Sequence, residues 1–163
     1  MQYAFDKVKG VSKTVVGYTG GQKDAPSYEE VSSGSTGHAE AIEVDYDPAV
    51  VTYAQLLDTF WKNIDPTQVN RQFADSGTQY RTAIFYRNDQ EKKTAEDTKV
   101  NFAKIAQLDK PIATQIVPLG KFYSAEDYHQ AYYKKESAHF KAYEIGSGRA
   151  GYLKRKWGTE FPH

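Results

Sequence analysis

The stretch YTGGQKDAPSYEEVSSGSTGHAEAIE, residues 18–43, sets the organisation of the chain. Its first twenty residues include five that interrupt helices and strands: Gly20, Gly21, Pro26, Gly34 and Gly37. Such a segment cannot form one regular element, so it predicts a long loop. Long loops inside a compact domain are typically functional or disordered. The tyrosine and glutamates within this one favour a functional loop, and the alternative is a plain surface loop.

The composition predicts one soluble globular domain over residues 1–163. Residues 141–163 are polar and glycine-rich, and we expect them to form a tail that wraps over the surface. Lys+Arg and Asp+Glu are balanced at 21 each, which argues against a general nucleic-acid binder or a polybasic membrane protein. No apolar run has the length of a membrane span and no signal peptide is visible, so the default expectation is a cytoplasmic protein.

The sequence contains no cysteine. Disulfides, thiolate metal sites and thiol catalysis are therefore absent from the chain as written. His38 and Glu40, and then Asp127 and His129, are candidate metal ligands by residue type. Because their spacing matches no metal motif, ordinary hydrogen bonding is the preferred interpretation. The GSGRAG stretch at residues 146–151 is not read as a dinucleotide site, because no convincing strand precedes it.

Hydrophobic periodicity predicts strands and helices in alternation. The predicted strands are residues 11–18, 40–47, 79–86 and 111–117, and the predicted helices are residues 2–9, 53–64 and 88–106, with a short helix between 122 and 135. The strand at 79–86 is almost continuously apolar, so we expect it in the interior of a sheet. The order of elements indicates an α+β fold, a mixed sheet with helices packed on it.

Four polar residues lie where two long loops run into predicted strands. Glu40 ends the first loop, and Asp75 and Tyr80 flank Gly77 at the end of the second. A carboxyl group at a loop–strand junction with apolar neighbours is expected to have a raised pKa and to donate a proton near pH 7. Together with Tyr28, these groups suit a polar X=O group that gains negative charge during a reaction. The alternative is that all four simply anchor the loops.

Four stretches of the sequence, which include these residues, match a known family. The chain closely resembles class A peptide methionine sulfoxide reductase, from residue 1 to about residue 154. The matching stretches are YTGG at residues 18–21, SYEEVSSGSTGHAEAIEVDYDP at 27–48, DPTQVNRQFADSGTQYRTAIFY at 65–86 and FYSAEDYHQAYY at 122–133.

The resemblance implies a two-layer α+β sandwich with a ferredoxin-like core. It implies repair of oxidative damage by reduction of the S-epimer of methionine sulfoxide, free or in proteins. A thiol attacks the sulfoxide sulfur while the oxygen is protonated, and thioredoxin is the external reductant, with no cofactor. The acid of that family falls on Glu40, the two oxygen-binding tyrosines on Tyr28 and Tyr80, and the supporting aspartate on Asp75.

One departure from the family is severe. The family begins with a strand that ends in a Gly-Cys-Phe-Trp-Gly motif, which supplies the nucleophile and the aromatic pocket for the substrate methyl group. Met1 aligns with the residue directly after that motif, so the first strand and the nucleophile are missing here.

Three explanations for the departure remain open. In the first, the start is truncated or mis-assigned, in particular because a selenocysteine codon was read as a stop; upstream DNA without Gly-(Cys or stop)-Phe-Trp-Gly codons would contradict this. In the second, the chain is a catalytically dead module that binds oxidised methionine. In the third, it is a scaffold or interaction protein. A missing first strand also predicts an unpaired sheet edge, with lower stability or association through that edge.

Overall fold

A computed structural model describes residues 1–158 of the chain. The helices are α1 (Gln2–Asp6), α2 (Tyr28–Ser32), α3 (Tyr53–Lys62), α4 (Asp89–Ala106), α5 (Tyr132–Lys135), α6 (Ser137–Gly146) and α7 (Arg149–Trp157). The strands are β1 (Val11–Thr19), β2 (Ala39–Tyr46), β3 (Arg71–Gln72), β4 (Asp75–Ser76), β5 (Ala83–Tyr86), β6 (Gln115–Pro118) and β7 (Phe122–Ser124). Two 3₁₀ turns cover Thr78–Tyr80 and Asp127–His129. No helix among these residues is long and apolar enough to cross a membrane.

The strands form three separate sheets. In the largest, β1 lies between β2 and β7 and is antiparallel to both. The β1–β2 pairing runs from Val11 opposite Tyr46 to Thr19 opposite Ala39, with one irregularity near Val11. The short strands β3 and β4 form a hairpin, and β5 pairs with β6 in parallel. Both pairing modes and several packed helices are present, so the predicted α+β class is confirmed.

The main core lies between α3, α4 and the β5–β6 pair. Helix α3 begins with a capping box between Thr52 and Gln55, as the sequence predicts. Its apolar residues recur at helical spacing and pack against the inner face of α4. The buried members of this core are Leu57, Trp61, Ile64, Ile84, Ala95, Phe102 and Ala106. A smaller cluster around Phe5, Val51 and Leu56 covers the apolar face of β2.

The predicted interior strand at residues 79–86 differs from the structure in two ways. Only Ala83–Tyr86 is a strand, because Gly77, at φ +142°, leads the chain into the 3₁₀ turn Thr78–Tyr80. Within residues 1–158, β5 pairs with β6 on one side and with no strand on the other. The prediction of an interior position is therefore wrong for the described chain, although the apolar composition of the strand suits burial on both edges.

The predicted long loop contains one short helix, α2. Ser27 begins it, and a capping box joins the Ser27 hydroxyl to the Glu30 N–H and the Glu30 carboxylate to the Ser27 N–H. Glycine is required at position 21, because a Cβ there would collide with the backbone of Thr36 and His38. The close approach of these two backbones folds the loop back on itself directly before β2.

The C-terminal residues form more regular structure than a polar, glycine-rich composition indicates. Helices α6 and α7 cover much of this region, and Leu153 of α7 is 2% exposed. The glycine-rich stretch spans the end of α6 and the start of α7, with Gly148 in a left-handed conformation between them. Part of the predicted tail, residues 159–163, lies outside the described residues.

Candidate active site

Glu40 is the second residue of β2 and lies at the junction of the loop and the strand. Its side chain is reached by water because it faces an open cavity, but protein surrounds it on most sides. This surrounding protein, with a smaller contribution from the charge of Asp75, raises the pKa of Glu40 to about 7. A pKa in this range lets the carboxyl group hold a proton near neutral pH, as a general acid requires.

Tyr80 ends the 3₁₀ turn that precedes β5, and its phenol points toward the same place. Burial raises its pKa, and the nearby Glu40, Asp75 and Tyr28 raise it further. The turn is held by Gln79, which is buried and donates a hydrogen bond of 2.9 Å from Nε2 to the Ser32 carbonyl at the end of α2. The second predicted loop is thereby tied to the first, and Tyr80 lies near the other three predicted residues.

Tyr28 is the first residue of α2, and its position is set by a carboxylate far away in sequence. The Tyr28 N–H donates to Glu126 Oε1 at 2.8 Å, and the Tyr18 hydroxyl donates to Glu126 Oε2 at 3.0 Å. The Tyr28 ring also packs on the imidazole of His129, with centroids 4.3 Å apart. Burial favours the neutral acid, but hydrogen bonds from the backbone of Glu126 itself, from Tyr28 and from Tyr18 outweigh it and lower the pKa of Glu126.

Asp75 lies in β4, and its partner comes from the C-terminal helices. The Tyr143 hydroxyl of α6 donates a hydrogen bond to Asp75 Oδ2. Burial and this bond raise the pKa of Tyr143, so the phenol keeps its proton and remains a donor. Asp75 is thus oriented from one side while its charge acts on Glu40 from the other.

Three of the four predicted groups open into a cavity of about 830 Å³, and Tyr28 is not among its lining residues. Glu40, Asp75 and Tyr80 line it, together with residues 41–46 of β2. Helix α3 provides apolar side chains on the other side. The volume falls in the range typical of small-molecule sites, and an acid with a pKa near 7 beside a phenol gives it the means to protonate and stabilise a polar oxygen.

The candidate metal ligand His38 takes part in hydrogen bonds within the loop. His38 is 2% exposed, accepts from the Gly21 N–H at Nδ1 (3.0 Å) and donates from Nε2 to the Lys23 carbonyl (2.7 Å). Both ring nitrogens are occupied, so His38 holds the loop in front of Glu40. Residues 1–158 contain no group of three or more His, Cys, Asp or Glu side chains arranged to hold a metal ion.

Sequence reasoning missed Glu126 and Tyr143. Glu126 lies 98 residues from Tyr28, and Tyr143 lies 68 residues from Asp75. Neither spacing produces a local pattern. The only available signal for Glu126 is its position within the distinctive FYSAEDYHQAYY stretch at residues 122–133.

Replacing Glu126 by Ala is expected to lower the free energy of unfolding by about 1–2 kcal/mol, because the Tyr28 N–H and the 2%-exposed Tyr18 both lose their acceptor. Urea unfolding followed by tyrosine fluorescence measures the effect. Glu126→Gln is the matched control, since its amide oxygen still accepts from Tyr28. Equal stability of the two variants would contradict this role for the carboxylate.

Comparisons with known proteins give one consistent match. A family model described as peptide methionine sulfoxide reductase matches residues 1–161. The protein named peptide methionine sulfoxide reductase MsrA from Bacillus subtilis is 48% identical over 156 residues, covering 96% of this chain and 88% of that one. The protein of the same name from Listeria monocytogenes is 46% identical over 153 residues, covering 94% and 86%.

Solved structures agree with the sequence matches. Methionine sulfoxide reductase A of Corynebacterium diphtheriae superposes with a TM-score of 0.79 at 38% identity, covering 83% of this chain and 69% of that one. The reduced form of Mxr1 from Saccharomyces cerevisiae gives a TM-score of 0.78 at 36% identity, covering 83% and 78%.

Proposed function

Since the chain belongs to the peptide methionine sulfoxide reductase family, we propose that it provides the proton-donating part of a methionine-S-sulfoxide reductase site. The observation that carries this proposal is the convergence of Glu40, Asp75 and Tyr80 on one cavity. The substrate is methionine sulfoxide, free or within a protein. The biological role is repair of oxidised methionine.

Glu40 is the general acid in this proposal. Its neutral form donates a proton to the sulfoxide oxygen as the S–O bond breaks, and the phenols of Tyr28 and Tyr80 stabilise the charge that develops on that oxygen. Burial, and to a smaller extent the charge of Asp75 in the same cavity, raises the pKa of Glu40 to near neutral. The four residues thus share three roles in a single proton-transfer step: proton donor, stabilisers of the oxygen and support for the acid.

The electrons for the reduction come from thiols or selenols. The 163 residues contain no cysteine, so these thiols lie outside the given sequence. A thiolate attacks the sulfoxide sulfur, the oxygen passes with a proton to the thiol sulfur as a sulfenic acid, and the thioether leaves. A second thiol then attacks the sulfenic acid, which gives a disulfide and water. We propose thioredoxin as the reductant of that disulfide, and hence a cytoplasmic location, where thioredoxin keeps thiols reduced. No organic cofactor or metal enters this scheme.

The test is chemical rescue with a small thiol. The chain is incubated with excess dithiothreitol and the separated S- and R-epimers of methionine sulfoxide, and methionine is quantified by chromatography. We expect faster consumption of the S-epimer than dithiothreitol alone produces, with the R-epimer at the background rate. Equal background rates for both epimers would overturn the proposal that this site promotes reduction on its own.

A second candidate function rests on the absence of cysteine. In this alternative the chain binds methionine sulfoxide, or acts as a scaffold or interaction protein, without turnover. Calorimetry separates the possibilities. Saturable binding of methionine-S-sulfoxide without thiol-dependent reduction favours the binding module, and neither binding nor reduction favours the scaffold.

A further inference from the structure

The hairpin of β3 and β4 fixes the backbone of Asp75. Gln72 pairs with Asp75 across the hairpin. The side chain of Gln72 also bonds the backbone of Asp65, accepting from its N–H at 3.1 Å and donating to its carbonyl at 2.8 Å. The main chain that carries Asp75 is therefore tied to the segment that follows α3, and the freedom left to Asp75 is rotation of its side chain.

A single hydrogen bond restrains that rotation within residues 1–158. The Asp75 carboxylate accepts it at Oδ2 from the Tyr143 hydroxyl of α6. No lysine, arginine or histidine in this part of the chain forms an ion pair with Asp75. Without Tyr143, the carboxylate would therefore lose the donor that sets its orientation and would gain no counter-charge in its place.

Asp75 acts on a second carboxyl group, that of Glu40, and both line the same open cavity. When both groups are ionised they repel each other, and an unrestrained Asp75 would gain free energy by turning toward water. A carboxylate that stays in a repulsive position needs a partner that holds it there. The Tyr143 hydroxyl is such a partner.

Asp75 is the charge to which Glu40 responds. The titratable groups that interact with Glu40 from neighbouring elements are Tyr18 of β1, Asp75 of β4, Tyr80 of the 3₁₀ turn and Tyr143 of α6. Burial raises the pKa of all three phenols, so they are neutral near pH 7. The orientation of Asp75 therefore decides how much negative charge Glu40 meets as it titrates.

Helices α6 and α7 dock on the tip of the same hairpin. Phe73 lies at the tip, in a left-handed conformation with φ +52°, and is 8% exposed. Its ring contacts the ring of Tyr152 with centroids 5.6 Å apart, and the guanidinium of Arg149 lies 5.6 Å from its centroid. Arg149 also donates from Nη2 to the Asn63 carbonyl at 2.7 Å. The C-terminal helices are thereby attached close to Asp75 in the sequence.

We infer that Tyr143 is a positioning residue, whose hydroxyl holds the Asp75 carboxylate beside Glu40 and so sets the pH range over which Glu40 keeps its proton. The inference rests on the proposed function for the identity of Glu40 as the acid. The effect of Tyr143 on the Glu40 proton is nevertheless measurable without turnover. In this arrangement the C-terminal helices control the acidity of a residue far earlier in the chain.

The test is a titration of Glu40 by carbon-13 NMR of its side-chain carboxyl carbon, assigned with the Glu40→Gln variant. In Tyr143→Phe the Asp75 side chain is free to turn away, so the titration midpoint of Glu40 should fall by roughly half a pH unit, the effect of losing a nearby like charge in a hydrated site. Asp75→Asn removes that charge directly and should lower the midpoint by at least as much. Circular dichroism checks that the variants remain folded.

A double-mutant cycle distinguishes positioning from a merely structural role. If Tyr143 acts through Asp75, the variant with both Tyr143→Phe and Asp75→Asn should titrate Glu40 at the same pH as Asp75→Asn alone. Tyr123→Phe is the matched control, since it removes another tyrosine–aspartate hydrogen bond, to Asp24 at 2.7 Å, and should leave the midpoint unchanged. An unchanged or raised midpoint in Tyr143→Phe, or a shift that adds to that of Asp75→Asn, would overturn the inference.

Turnover separates this inference from the proposed function. In the dithiothreitol assay with methionine-S-sulfoxide, the alkaline fall of the rate should move to lower pH in Tyr143→Phe by the same interval as the NMR midpoint. An NMR shift without thiol-dependent reduction in any variant supports the positioning role and contradicts the proposed reductase role. Reduction with the same alkaline fall in the parent and in Tyr143→Phe supports the reductase role and overturns the positioning role.

Discussion

Replacing Glu40 by Gln is expected to lower the thiol-dependent reduction of methionine-S-sulfoxide by roughly 10²–10⁴-fold, the range typical of a lost general acid. Gln retains the shape of the side chain but has no acidic proton near neutral pH. The S-epimer assay with dithiothreitol measures the change. Glu96→Gln, at an exposed position on α4, is the matched control and should retain full activity. Full activity of Glu40→Gln would remove Glu40 from the role of acid.

The pH dependence gives an independent check on the same residue. The acid acts in its protonated form, and the pKa of Glu40 is raised to about 7 by burial and then by Asp75. The rate, corrected for the thiolate fraction, should therefore be flat below pH 6 and fall about tenfold per pH unit above pH 8. Glu40→Gln should show no such fall, and a parent profile that is flat to pH 9 would contradict the assignment.

Stability supplies the folding control for Glu40→Gln. A folded pKa above the ordinary value means that the folded state binds this proton more tightly than the unfolded chain. Its contribution to stability is complete below about pH 4.5 and is lost as the pH rises through about 7. At pH 8 the Gln variant should therefore be more stable than the parent by about 1 kcal/mol, a value reduced for solvent screening in the open cavity. Loss of activity in that variant thus cannot be ascribed to unfolding.

Replacing Trp61 by Ala is expected to lower the free energy of unfolding by about 3–5 kcal/mol. Trp61 is 1% exposed, its ring stacks on Phe102 at 5.5 Å, and its Nε1 donates to Thr98 Oγ1 at 3.0 Å. The substitution leaves a large cavity between α3 and α4 and removes a hydrogen-bond donor. Thermal and urea unfolding followed by circular dichroism measure the loss, which should lower Tm by roughly 10 °C.

Two further variants resolve the contributions at Trp61. Trp61→Phe keeps most of the packing and loses the hydrogen bond, so it should cost less than half as much. Ile105→Ala, on α4 and 73% exposed, should change stability by less than about 0.5 kcal/mol. A Trp61→Ala loss no greater than that of Ile105→Ala would mean that α3 and α4 do not form the principal core.

The parts of the fold that depend on local chemistry were predictable from the sequence. The capping box of Thr52, the alternation of Ile42 and Val44 against Glu43, and the α+β order all follow from neighbours within a few residues. The position of β5 at an open edge was not predictable in this way. The apolar composition of that strand indicates burial between two strands, and whether both neighbours are present depends on distant segments.

The candidate site was likewise predictable only where its residues belong to local sequence patterns. Glu40, Asp75, Tyr28 and Tyr80 were identified because each lies where a loop enters a strand or a turn, and the structure brings them together. Their assigned roles remain predictions until the variants are measured. Glu126 and Tyr143 escaped notice because a carboxylate that orients a residue 98 positions away leaves no periodic or spacing signal.

The cavity lined by β2 and β5 also links the stability of the chain to ligand binding. A partner that binds only the folded state adds RT ln(1 + [L]/Kd) to the free energy of unfolding, about 2.7 kcal/mol at a hundredfold excess over Kd. Within residues 1–158, β2 and β5 each lack one neighbour, so occupancy of the cavity that both strands line should couple directly to that quantity. The lifetime of the chain against proteolysis would then follow the concentration of whatever binds there.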